Sequence, residues 1–108
     1  MKIAIYGNLH QDKHIEALDK MFATLTQYGM RAYIEQNFYE YLARNIQLPE
    51  TVSMLKTNEF AADVALSIGG DGTFLRTAAW IGNKSIPIMG INTGHLGYLA
   101  DVSMNDAE

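Results

Sequence analysis

Cysteine is absent from the 108 residues, which excludes disulfides, thiolate catalysis and cysteine-ligated metals. Positive charge is scarce. Eight Lys and Arg stand against twelve Asp and Glu, for a net charge of -4, and the basic residues are spread out rather than clustered. No basic patch marks a nucleic-acid surface, so no nucleic-acid partner is expected. Long apolar runs are also missing: none approaches the ~18 residues that a membrane span needs. The opening Met1-Lys2-Ile3-Ala4-Ile5-Tyr6-Gly7 is too short for a signal peptide and leads into Gly-Asn rather than a small-residue cleavage site. A soluble, cytoplasmic protein with no membrane partner is the expectation. The remaining composition, 48% hydrophobic and 19% charged, suits one globular domain with a modest core.

What is present is an alternation of strand-like and helix-like segments. Residues 2–7 read as a short strand that turns off at Gly7-Asn8. Residues 11–28 read as an amphipathic helix, with Ile15, Leu18, Met21, Phe22, Leu25 and Tyr28 on one face and Gly29 as its stop. A second strand covers residues 30–35. Asn37 and Glu40 resemble a capping box that would start a helix over residues 38–47, with Phe38, Tyr41, Leu42 and Ile46 inward. Residues 48–62 read as a connection, with a short strand or helical turn near residues 52–55. Residues 63–68 are apolar at nearly every position, as in a strand covered on both faces. A helix runs from Thr73 to about Ile81, and residues 86–91 form a further strand with Pro87 near its start. The pattern implies an α/β fold: a Rossmann-like, three-layer domain with a mostly parallel sheet and helices on both faces. Ligands in such sheets sit outside the carboxyl ends of the strands. The turns at residues 7–8, 69–73 and 92–97 are therefore expected along one edge.

The stretch Leu66-Ser67-Ile68-Gly69-Gly70-Asp71-Gly72-Thr73 carries the chemistry. A buried strand that breaks into glycines and then a helix can hold a phosphate. The backbone approaches closely, and the helix N-terminus offers free N–H groups with a partial positive charge. Asp71 is the unusual member, because a carboxylate repels phosphate unless it binds Mg²⁺, accepts a proton or grips a sugar hydroxyl. The plain alternative is a tight turn in which Asp71 or Thr73 caps the next helix. A P-loop is ruled out, since no Gly-Lys-Ser or Gly-Lys-Thr follows, and the G-x-G-x-x-G dinucleotide fingerprint also fails. Arg76, five positions after Asp71, can pair with it, reach a phosphate or stand solvated on its helix. His95 sits between two glycines without a second ligand at suitable spacing, and His10 and His14 stand i, i+4 without a third. No metal-binding residue is assigned on that basis. Trp80, Phe74 and Leu75 are assigned to the core, and Tyr98 is either a packed aromatic or a platform for a ligand's base.

Two motifs taken together, Gly69-Gly70-Asp71-Gly72-Thr73-Phe74-Leu75 and Gly90-Ile91-Asn92-Thr93-Gly94-His95-Leu96-Gly97-Tyr98-Leu99, closely resemble the NAD kinase family. The first is shared with diacylglycerol- and sphingosine-type lipid kinases and, as a close variant, with phosphofructokinases. The second singles out NAD kinase, and the resemblance covers nearly the whole chain. It implies phosphorylation of the 2′-hydroxyl of the adenosine ribose of NAD, with ATP or polyphosphate as donor and a divalent cation, Mg²⁺. It also implies Asp71 as proton acceptor and Gly72 and Arg76 as nucleotide contacts. Gly70 and Thr73 share the phosphate-holding turn, Tyr98 stands beside the bound nucleotide and Asn92 shapes the second turn. Members of the family form dimers and tetramers, so a homo-oligomer is expected. They are longer, with a β-rich second domain that is missing from these 108 residues, so an isolated chain is expected to fold but to have little or no activity. The alternatives are a diacylglycerol-type lipid kinase domain and a non-catalytic nucleotide-binding or assembly module.

Overall fold

A computed structural model describes residues 1–9, 11–57 and 59–91. Its strands are β1 (Lys2–Gly7), β2 (Arg31–Glu35), β3 (Val52–Leu55), β4 (Val64–Ile68) and β5 (Ile88–Ile91). The helices are α1 (Ile15–Gln27), α2 (Gln36–Asn45) and α3 (Asp71–Ile81). The sheet order is β3-β2-β1-β4-β5, and every pairing is parallel. The expected Rossmann-like sheet is what forms, and the doubtful segment near residue 52 is its edge strand.

The two faces of the sheet can be read from alternate residues, because side chains on a strand point to opposite sides in turn. Ile3 and Ile5 of β1 and Leu66 and Ile68 of β4 join Leu18 and Phe22 of α1 and Phe38 and Leu42 of α2 in one cluster. Ala4 and Ala65 face the other way and pack with Ile81 of α3, flanked by Phe60 and Trp80. So α1 and α2 cover one face and α3 the other. Fully burying a side chain such as Ile5 or Phe22 contributes roughly 1.5–3 kcal/mol, so the first cluster dominates the core.

Four local expectations are corrected. The first helix is shorter than residues 11–28: a single 3-10 turn, Asp12–His14, precedes α1, and Tyr28 beyond its end is exposed. Asn37 does not cap α2. The Glu35 carboxylate does so, accepting from the N–H groups of Asn37 at 3.0 Å and Phe38 at 3.1 Å, where its charge also suits the helix dipole. Phe74 and Leu75 are exposed rather than core, since α3 buries Thr73, Thr77 and Ile81 instead. Trp80 is only partly buried and packs between the rings of Tyr6 and Phe60, at centroid distances of 5.5 and 4.7 Å.

Candidate active site

From β1 the chain builds outward through β2 to β3, and it then returns to the other side of β1 to build β4 and β5. The order therefore reverses between β1 and β4, and a crevice opens outside their carboxyl ends. The two turns leaving those ends are tied together. Asn8 donates its backbone N–H to the Ile68 carbonyl at 3.2 Å and its Nδ2 to Thr73 Oγ1 at 3.3 Å. Gln11, fully buried, receives the Tyr41 hydroxyl as acceptor for its own N–H at 3.1 Å. Its Nε2 donates to the carbonyls of Asn8 at 3.3 Å and Ile68 at 3.4 Å. Gly69, with φ of +150°, has no room for a side chain: a Cβ there would lie 2.5 Å from Thr73 Oγ1 and 2.7 Å from Asn8 Nδ2. The turn is held from both strands.

Helix α3 begins at Asp71, two residues earlier than the sequence suggests. Its N-cap is Gly70, in extended backbone, and among the described residues no side chain accepts from the first-turn N–H groups. The plain alternative of a self-capped helix is thus corrected: neither Asp71 nor Thr73 caps it. An uncapped N-terminus leaves donors facing outward, the arrangement that receives an anion. Thr73 is buried, and its Oγ1 accepts from Asn8 Nδ2 and, at 3.3 Å, from Arg76 Nη2. Thr77 Oγ1 in turn donates to the Thr73 carbonyl at 2.8 Å.

Among the described residues two cavities flank this turn. One, about 190 Å³, is bounded by Ser67, Gly69, Gly70, Asp71, Phe74 and Gly90. The other, about 290 Å³, lies toward β1 and β2 and is bounded by Gly7, Asn8, Leu9, Glu35, Asn37 and Arg76. Gly7, at its wall, leaves room for the Phe38 ring, because a Cβ there would lie 2.5 Å from it. Asp71 is exposed and, among the described residues, forms no ion pair with Arg76. The pairing allowed for these two residues is therefore not made. Gly70, Asp71 and Gly72 are brought together at the α3 N-terminus, and Arg76 turns to the second cavity. Asn92, His95 and Tyr98, like His10, lie outside the described residues. Among the described residues no group of three or more His, Asp or Glu gathers as a metal cage. Among the described residues Asp71 is the one carboxylate lining its cavity. Such a donor set fits a cation carried mainly by substrate phosphates, the usual habit of Mg²⁺.

The sequence gives no sign of Ser67, Gln11 or Glu35, and it places Asn8 only in the turn that follows β1. Ser67 reads as one more residue of an apolar strand. The other three are legible only once β1, β2 and β4 are adjacent.

The ATP-NAD kinase N-terminal domain model matches residues 3–108. The chain belongs to the NAD kinase family. It is 43% identical over its full length to an NAD kinase of Bacteroides fragilis, covering 38% of that protein. It is 37% identical to one of Porphyromonas gingivalis, with 98% of this chain and 37% of that protein aligned. The fold also matches a crystal structure of yeast NADH kinase complexed with NADH, with a TM-score of 0.71 and 12% identity over 97% of this chain and 36% of that one. The chain thus spans a little over a third of the NAD kinases that it matches. Family membership sets aside the lipid-kinase alternative for the motif at residues 69–75.

Proposed function

We propose that this domain forms the catalytic-loop half of an enzyme that phosphorylates the 2′-hydroxyl of the adenosine ribose of NAD, giving NADP, with ATP or polyphosphate as donor. The observation that carries this is Asp71: an exposed carboxylate, free of ion pairing with Arg76, in the first turn of an uncapped helix at the wall of a cavity. Phosphoryl transfer needs positioning and charge neutralisation more than covalent help from the protein. Asp71 orients the ribose hydroxyl and takes its proton. The ribose oxygen forms the new bond to the terminal phosphorus as the bond from that phosphorus to the donor's bridging oxygen breaks, and the shortened donor leaves with the electron pair. The N–H groups of Gly70, Asp71 and Gly72 face phosphate oxygens, and the Arg76 guanidinium takes the donor's phosphates from the other side of the turn. A divalent cation, when bound, offsets the repulsion between those phosphates and Asp71. Asn92 and Tyr98 complete the nucleotide's surroundings in this reading.

The proposal extends to a cytoplasmic setting and to a homo-oligomer of two or four copies. It also holds that the rest of the cleft comes from sequence beyond these 108 residues. Incubating the longest natural polypeptide that carries this sequence with NAD, Mg²⁺ and ATP or polyphosphate, and assaying NADP, tests it. NADP formation is expected. Its absence with both donors overturns the reading.

A further inference from the structure

Ser67 is a buried polar side chain that the scheme above leaves unused. It belongs to the α3 face of β4, paired in register with Tyr6 of β1 and Gly90 of β5. It is 1% exposed, and among the described residues its Oγ has no hydrogen-bond partner. A buried hydroxyl without a partner carries a desolvation cost comparable to a lost hydrogen bond, so natural cores seldom keep one without a use. Ser67 is nonetheless among the residues that bound the cavity beside Asp71, and the backbone opposite it is Gly90, over which the Phe74 ring closes. The first turn of α3 stands above it with no side-chain cap. A serine with nothing to bond to, beneath an uncapped helix end, makes a set of donors that awaits an oxygen-rich ligand.

We propose that Ser67 Oγ is a binding residue of this site, donating a hydrogen bond to an oxygen of the ribose-phosphate unit that enters beside Asp71. The proposal rests on the kinase reading given above and adds a specificity group to it. Asp71 at the rim would act on the reacting hydroxyl, and Ser67 at the closed end would fix the depth and tilt of the same nucleotide. A buried site built to bond a ligand oxygen penalises ligands that lack it, because the serine is then left unpaired.

The test is calorimetric binding of NAD, AMP and adenosine to the longest natural polypeptide carrying this sequence, as wild type, Ser67→Ala and Ser67→Cys. Ser67→Ala is expected to bind NAD about tenfold more weakly, the loss of one neutral hydrogen bond. The melting temperature without ligand should stay level or rise, since an unsatisfied hydroxyl has been removed. Ser67→Cys, nearly the same shape with a weaker donor, is expected to show the same defect and keeps the test decisive if the alanine variant does not fold. An equal loss with adenosine assigns the bond to a ribose oxygen, and a loss confined to NAD and AMP assigns it to a phosphate oxygen. Unchanged affinity for all three ligands in a folded variant overturns the inference while leaving the kinase reading untouched. A wild type that neither binds NAD nor makes NADP overturns the kinase reading itself.

Discussion

Asp71 and Arg76 lie five residues apart on α3 and open onto different cavities. At 3.6 residues per turn, five residues carry a side chain about 140° around the helix. The carboxylate therefore borders the cavity between β4 and β5, and the guanidinium borders the one between β1 and β2. This separation suits phosphoryl transfer, because a guanidinium not paired with that carboxylate keeps its charge for the donor's phosphates.

Asp71→Asn should lower kcat by about 10²–10⁴ in the full enzyme, the range for loss of a positioned general base. Because Asp71 is exposed and its side chain caps nothing, stability should move by no more than about 0.5 kcal/mol. Steady-state kinetics beside thermal melting separates the two effects, and wild-type turnover in a folded variant removes Asp71 from the mechanism.

Arg76→Ala should raise KM for the phosphoryl donor about tenfold or more while leaving KM for NAD nearly unchanged, since the guanidinium faces the second cavity. Arg76→Lys should recover only part of this, because an ammonium lacks the planar fork of donors. Equal damage to both KM values would show that the two cavities do not divide the substrates.

Neighbouring glycines should respond differently. Gly69→Ala forces a Cβ to within 2.5 Å of Thr73 Oγ1 at a φ of +150°, and should destabilise the domain by roughly 1–3 kcal/mol or more. Gly70→Ala meets nothing within 4 Å, so its melting temperature should hardly move. The added methyl stands in the open space where phosphate would approach, so Gly70→Ala should still weaken nucleotide binding. Melting curves and nucleotide titrations on both variants check this, and equal melting temperatures would contradict it.

Gln11→Ala removes a fully buried amide that ties the Asn8 and Ile68 carbonyls together. Losing these hydrogen bonds, with the Ile68 carbonyl keeping the Asn8 N–H, should cost about 1–3 kcal/mol. Urea denaturation with an unchanged slope and a lower midpoint is the expected result.

Much of this was legible in the chain itself. The order of strands and helices followed from apolar runs and periodicity, and the glycine turn announced itself because three glycines and an aspartate within four residues suit few other purposes. Boundaries were less legible. Glu35 displaced Asn37 as the α2 cap because its carboxylate reaches two N–H groups, a choice that depends on backbone geometry rather than on residue type. Phe74 and Leu75 looked like core but lie outward, since an α3 that starts at Asp71 turns its threonines toward the sheet.

The sequence by itself determined that the chain is an α/β domain of the NAD kinase family with Asp71 in its glycine-rich turn, because periodicity, turn chemistry and two motifs are local properties. Tertiary structure alone decided that Asp71 and Arg76 line separate cavities, that Asn8 and Gln11 brace the turn from another strand, and that Ser67 ends beneath an uncapped helix without a partner among the described residues. Those facts depend on which strands become neighbours, and that is set by how the whole sheet buries its two faces.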